Sequence, residues 1–347
     1  DLAKVGITEE EVAAAIPVMK QIGTNTATGE LKGLSWQATP GALMYRASLA
    51  EKYLGVTTPE EFQAKVADWD LFMETAAELN EASEGATKMV VGAGDIWNAF
   101  NFGREQGWVV DGKLVIDPIL YDYLDLAVEL EQDDLSNKGN AWSEVWFAGM
   151  KSDTTLCFFL PTWGLHYTLK PNCGLTTNDT MNDEELKAAC EADGGTYGDW
   201  RMVAGPVGYS WGGTWIGANA AKVEAASEAK KAAIKDFILF FTMSEEFLYQ
   251  YAKDSGDFVG SNDVVNKILA EGGTPNPFLG GQDHYSIFAE AANLANGSIM
   301  TDYDEKMNSL WSDYVTTPYS KGEKDLDTAI ADFKAQVTAQ FPELVVE

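Results

Sequence analysis

Side chains that combine a flat apolar face with hydrogen-bonding groups recur along this 347-residue chain. The densest set lies in residues 205–217, where Tyr209, Trp211 and Trp215 are interleaved with glycines at 205, 208, 212, 213 and 217. An indole or phenol ring offers a face for stacking. Carboxylates, amides and hydroxyls hold the edge of whatever is stacked there. Trp211 with Gly212, Trp163 in the Pro-Thr-Trp run, and Trp97 with Asp95 have this makeup. Gln37, Thr39, Asp257, Asp302, Tyr303 and Trp311 are candidates of the same kind. All of these residue types also fill cores, so their place in the fold must separate the two uses.

Display of such side chains needs strand ends. Residues 31–36, 42–46, 89–92, 154–160 and 200–206 predict strands, and Gln37, Trp97, Trp163 and Trp211 each fall just beyond one. In open α/β sheets, ligands sit outside the carboxyl ends of strands, so these positions predict one lined cleft. Helical signals fill the intervals. Thr8 with Glu11 forms a capping-box spacing. Thr58-Pro-Glu-Glu61 opens a helix with proline at its first position. A helix begins at Asp95, another runs from Pro118 to about Glu131, and an alternating pattern predicts one helix over 227–252. Three more centre on Phe288, Trp311 and Phe333. Residues 108–116 read as a hairpin turning at Asp-Gly. Strands alternating with helices indicate an α/β fold.

Composition narrows the function classes. The chain has 24 Lys and Arg against 54 Asp and Glu, a formal charge of −30. Such a surface repels nucleic acid and anionic membrane, and suits a neutral or cationic ligand. The length suggests two domains. No apolar run reaches the roughly 18 residues of a membrane span, and no signal-peptide or lipid-anchor motif opens the sequence. His166 and His284 have no metal-ligand spacing with Cys157, and no cofactor is expected. The acidic run 178–185 lacks the glycine and spacing of a calcium loop and reads as a helix start. Cys157, in an apolar run, reads as a buried free thiol. Cys173 and Cys190 bracket a polar segment. They are either two unpaired thiols or, in an oxidising compartment, a disulfide closing a loop.

Several stretches, in order, resemble the extracellular solute-binding proteins of carbohydrate ABC transporters, the group that includes maltose-binding protein. They are Leu31-Lys-Gly-Leu-Ser-Trp-Gln-Ala-Thr-Pro-Gly-Ala-Leu-Met-Tyr-Arg46, Trp69-Asp-Leu-Phe-Met-Glu-Thr-Ala-Ala-Glu-Leu79, Gly112-Lys-Leu-Val-Ile-Asp117 and Phe159-Leu-Pro-Thr-Trp163. Residues 211–219 and the 234–251 segment, with Thr242-Met-Ser-Glu-Glu246, continue the match. The resemblance implies a two-lobed, hinged, periplasmic-binding-protein-like α/β fold. By matched position the first lobe is 1–39 with 215–278, and the second is 40–214 with 279–347. The family normally begins with further strands and helices, so the resemblance also implies a first lobe incomplete at its N-terminus.

It implies a non-catalytic receptor that captures a sugar or oligosaccharide between its lobes and delivers it to ABC permease membrane subunits. Such receptors are monomers on the extracellular face. The resemblance implies a lipid anchor in the full-length protein, with signal and anchor outside this sequence. The ligand contacts would come from Trp163, Trp211, Gly212, Trp97, Asp95, Gln37, Thr39, Trp311, Tyr303, Asp302 and Asp257. An extracellular location favours the Cys173–Cys190 disulfide. Three other classes compete. A polyamine-type receptor would use the same aromatic and acidic groups. A glycoside hydrolase would need two carboxylates about 5–9.5 Å apart, and no pair is singled out. An acidic scaffold would have no small ligand.

Overall fold

The strand Pro40–Arg46 is buried at every position, the pattern of a strand covered on both faces. It lies between Cys157–Pro161 and Trp200–Val203 in a four-stranded sheet. Its first residues pair antiparallel with Tyr209–Ser210, in the register Pro40 to Ser210 and Gly41 to Tyr209. This is a computed structural model, and it describes residues 1–174 and 182–347. Residues 178–181 of the acidic run 178–185 lie outside the described residues. The chain divides into two compact units, Asp1–Tyr45 with Phe159–Ser298, and Arg46–Phe158 with Ile299–Glu347.

These bounds differ from the expected ones. The crossings placed at Thr39, Thr214 and Phe278 all fall inside the first unit. Hydrogen bonds explain why. Thr39 Oγ1 donates to the Gly212 carbonyl at 2.9 Å, and Met202 exchanges two hydrogen bonds with the Gln282 side chain at 2.7 and 2.8 Å. Residues 200–212 therefore stay with 39 and with 282.

In the first unit, Gly33–Ser35 pairs antiparallel with Trp215–Gly217. Beneath this ribbon Leu2, Val5, Ile7, Val12, Leu34, Val223 and Ile238 form a core. The helix expected over 227–252 is two helices, Glu228–Met243 and Glu245–Ser255. Ser244 makes the break. Its backbone is extended and its hydroxyl accepts from Phe247 N, with Glu245 and Glu246 in the first turn. The first of these helices is apolar on two faces. Ile238 faces the core, while Phe237 and Phe240 are more than half exposed; Phe237 packs tilted on Phe241, and Phe240 packs edge-on with Phe241 and tilted on Phe247. The Thr8–Glu11 capping box forms its reciprocal hydrogen bonds, yet the following residues make turns until the helix Pro17–Ile22. Ala15 bridges to Ser261 and Ile16 N donates to the Gly260 carbonyl, so tertiary pairing takes backbone groups a helix would have used.

The second unit is mainly helical. Trp69–Ala82 packs on Ala47–Leu54, and Ala93–Phe102 packs on Ile119–Gln132, which packs in turn on Thr317–Ser320; Asp304–Trp311 continues to Ser320 and packs on Leu326–Gln340. The hairpin Val109–Val110 and Lys113–Leu114 turns at Asp111 and Gly112, both at positive φ as an Asp-Gly turn requires. Of residues 89–92 only Val90 makes a bridge, to Ser136, and Lys88 just before them bridges to Thr155. Arg104 and Asp304 form a buried ion pair at 3.0 Å. Among the described residues, no helix is long and apolar enough to cross a membrane.

Candidate functional site

Six of the expected site residues converge in the first unit. Two residues beyond the strand Tyr209–Ser210 comes Gly212, at φ 76°, then Gly213 at φ 126°. Both torsions lie where a side chain is strained. Space is short as well. A Cβ on Gly212 would lie 3.2 Å from Trp163 Nε1, and one on Gly213 would lie 2.6 Å from the Trp215 ring. The glycines thus let this turn lie under two indoles. Trp163 Nε1 donates to the Trp211 carbonyl at 2.8 Å, and the two rings meet edge to face with centroids 5.1 Å apart. Both are half-buried, each keeping part of its ring accessible. Thr39 fastens the turn from below. It is fully buried, contacts Ser210 Oγ at 3.2 Å, and its carbonyl accepts from Trp211 N at 3.0 Å.

Beside this lies a buried carboxylate. Asp257 Oδ2 accepts from Gln37 Nε2 and from Tyr251 Oη, each at 2.9 Å, and Oδ1 accepts from Phe258 N at 3.0 Å. Burial pushes its pKa up, with the bonds from Tyr251 and Gln37 pulling the other way. Tyr251 is pushed up to about 12, first by desolvation and then by the Asp257 charge. Behind Asp257 its carbonyl accepts from Tyr285 Oη. The peptide before it is gripped by both histidines. His166 Nε2 lies 3.1 Å and His284 Nε2 2.7 Å from the Gly256 carbonyl. At 1% exposure, Asp257 is a bracing group for Gln37 and this loop rather than an open ligand contact.

The other candidates belong to the second unit and have separate surroundings. Trp97 is half-buried on the helix Ala93–Phe102, edge to face with Tyr123 at 5.0 Å. Asp95, on the same helix, is 2% exposed and accepts from Trp146 Nε1 at 2.8 Å. Tyr303 is half-buried, packs on Phe341 and donates to Glu343 at 3.4 Å, while Asp302 is exposed. Trp311 is fully buried between Trp108 and Phe333, with centroids 5.5 and 5.3 Å away. An indole so enclosed serves the core, which corrects its expected stacking role. Tyr251, not among the expected residues, joins the site through Asp257. Its signal was its position one and a half turns before Gly256-Asp257. Cys173 and Cys190 come together, Sγ to Sγ 3.9 Å, and Cys157 is buried with its thiol donating to the Met89 carbonyl. Among the described residues, no three His, Cys, Asp or Glu side chains are grouped to hold a metal.

A half-buried indole pair over a glycine turn that the buried Thr39 fastens is a surface for stacking and edge recognition. Comparison with solved structures identifies the architecture that carries it. A crystal structure of an extracellular solute-binding protein of family 1 superposes with a TM-score of 0.79 at 18% identity, over 98% of this chain and 80% of that one. The chain has the fold of an extracellular solute-binding protein. The galacto-N-biose/lacto-N-biose I-binding protein of a Bifidobacterium longum ABC transporter, solved with lacto-N-biose, gives a TM-score of 0.65 at 17% identity, over 98% and 77%. An ABC-transporter-associated binding protein from B. animalis subsp. lactis, solved with β-1,6-galactobiose, gives 0.63 at 18%, over 92% and 76%. No protein-family model matches the sequence, and none of the curated proteins does.

Proposed function

We propose that this chain is the substrate-binding receptor of an ABC importer, capturing a sugar or oligosaccharide without chemically changing it. The observation that carries the reading is the Trp163–Trp211 pair over Gly212, held beside Gln37 and Asp257, on a solute-binding-protein fold. Indole faces take the apolar side of a pyranose, and the amide and hydroxyl groups around them take its edge. Trp97, with its half-buried ring, is a further stacking candidate on the second unit. Delivery to permease subunits, a monomeric state, an extracellular setting and a lipid anchor belong to the same reading. The net charge of −30 favours one rival, a cationic solute such as a polyamine.

The test is calorimetric titration of the full-length protein with a panel of oligosaccharides and with spermidine. The reading expects heat from one glycan class at a Kd on the order of 1 μM, with the sugar recovered intact. Heat from spermidine alone replaces the sugar by a polyamine. Sugar recovered cleaved refutes a receptor role, and heat from neither removes the indole pair's assignment.

A further inference from the structure

The helix Asp183–Ala192 is weakly tied to its unit. A capping box between Asn182 and Glu185 satisfies its first turn, but among its described side chains Cys190 alone is buried. Ten residues are fewer than an isolated helix needs to persist in water, and one buried side chain adds little. Attachment therefore runs through Cys190, and Cys190 meets Cys173. Their sulfurs are 3.9 Å apart and both residues are fully buried.

The Cys173 side of this contact is rigid. Its carbonyl accepts from Thr196 N at 2.8 Å, and Thr196 Oγ1 accepts from Nε1 of the fully buried Trp200 at 2.9 Å. Gly195 closes over the pair so tightly that a Cβ there would lie 2.2 Å from Cys190 Sγ and 2.6 Å from the Cys173 carbonyl. The Cys190 thiol points back at that same carbonyl, 3.4 Å away.

We propose that Cys173 and Cys190 are a disulfide modification site, and that the bond is the anchor holding the helix Asp183–Ala192 on the first unit. Formation needs an external disulfide, carried by a thiol oxidoreductase or a small molecule such as oxidised glutathione. One cysteine thiolate attacks a donor sulfur and expels the other as a thiol. The second cysteine thiolate then attacks the mixed disulfide and releases the remaining donor thiol. Two protons leave the cysteines and two electrons pass to the donor. At 3.9 Å the two sulfurs are already in van der Waals contact, and the bond brings them to about 2.0 Å. Cys157 lies in the other unit, where burial and the Asp95 charge raise its pKa, so it stays a thiol. The inference is independent of the sugar reading.

The test uses the full chain refolded in a mixture of oxidised and reduced glutathione. Alkylation before and after reduction, followed by peptide mass mapping, is expected to find Cys173 and Cys190 in one linked peptide and Cys157 alone as a thiol. Trypsin then reads the anchor at Lys187, which is exposed on the helix. Reduction is expected to speed cleavage there about tenfold or more through local opening, with other sites unchanged. Cys190→Ser should cleave at the fast rate whether or not reductant is present, and Cys157→Ser should behave as the parent does. Three alkylated cysteines in the oxidised sample would overturn the bond. A linked peptide whose reduction leaves Lys187 cleavage unchanged would overturn the anchor.

Discussion

Replacing Trp163 separates the two things its indole does. The Nε1–H donates to the Trp211 carbonyl at 2.8 Å, and the ring meets Trp211 edge to face at 5.1 Å. Trp163→Phe keeps a flat face and removes the donor. One net hydrogen bond is about 0.5–1.5 kcal/mol, so binding of the captured glycan should weaken about two- to tenfold. Trp163→Ala removes the face as well. Truncation of a central aromatic anchor costs about 2 kcal/mol or more, about thirtyfold in Kd. Gly212→Ala tests the support beneath. It places a Cβ at φ 76° and 3.2 Å from Trp163 Nε1, so the indole must shift and binding should fall while the second unit stays intact. Isothermal titration gives the affinities, and calorimetric unfolding of the same samples separates lost contact from lost fold. A Trp163→Ala protein that binds the glycan within twofold of the parent would refute the assignment.

Two further outcomes concern buried charge. Asp304→Asn strands the Arg104 guanidinium, whose side chain is 1% exposed. That should cost about 3–5 kcal/mol, seen by calorimetry as a second-unit transition lowered by about 6–20 °C. The apolar pair Arg104→Met with Asp304→Leu should cost less than either single change, and equal or larger loss in the pair would show that the ion pair is not what those residues supply. His166 is held down to about 4 by burial, then by neighbouring His284 and Lys170, against the bond to the Gly256 carbonyl. Its folded pKa is depressed, so the stability from the neutral ring is present above about 6.5 and is lost as pH falls towards 4. The span is about 3 kcal/mol. His166→Gln keeps an N–H for Gly256 and does not titrate. Urea unfolding from pH 7 to pH 4 should therefore show a shallower loss in the variant, and parallel curves would sink the account.

What could be read from the chain follows how far each signal reaches. The Asp111-Gly112 turn and the helix opened by Thr58-Pro59 are decided within four residues, and both form as expected. The Thr8 box also forms, but Gly260 and Ser261, some 250 positions away, claim the next backbone groups. At Ser244 the local cap signal was present. Phe240, Phe241, Phe247 and Leu248 keep a helical apolar period across it, and that period hid the break. The strand-end rule picked Gln37, Trp163 and Trp211, which share the first unit, and Trp97, which lies in the second, because glycine turns and strand termini mark themselves in composition.

It could not sort Trp211 from Trp311. Both are tryptophans near polar residues, and what divides them is that Trp108 and Phe333 close over one while a glycine turn leaves the other half open. The bond from Gln37 to Asp257 spans 220 positions and the one from Thr39 to Gly212 spans 173. The Thr39–Gly212 bond joins residues that the expected crossings had assigned to different lobes. Residue type therefore proposes which side chains can recognise a ligand. The hydrogen bonds that fix Trp163 on Trp211 and bury Asp257 behind Gln37 decide which of them are presented and which are spent on holding the others in place.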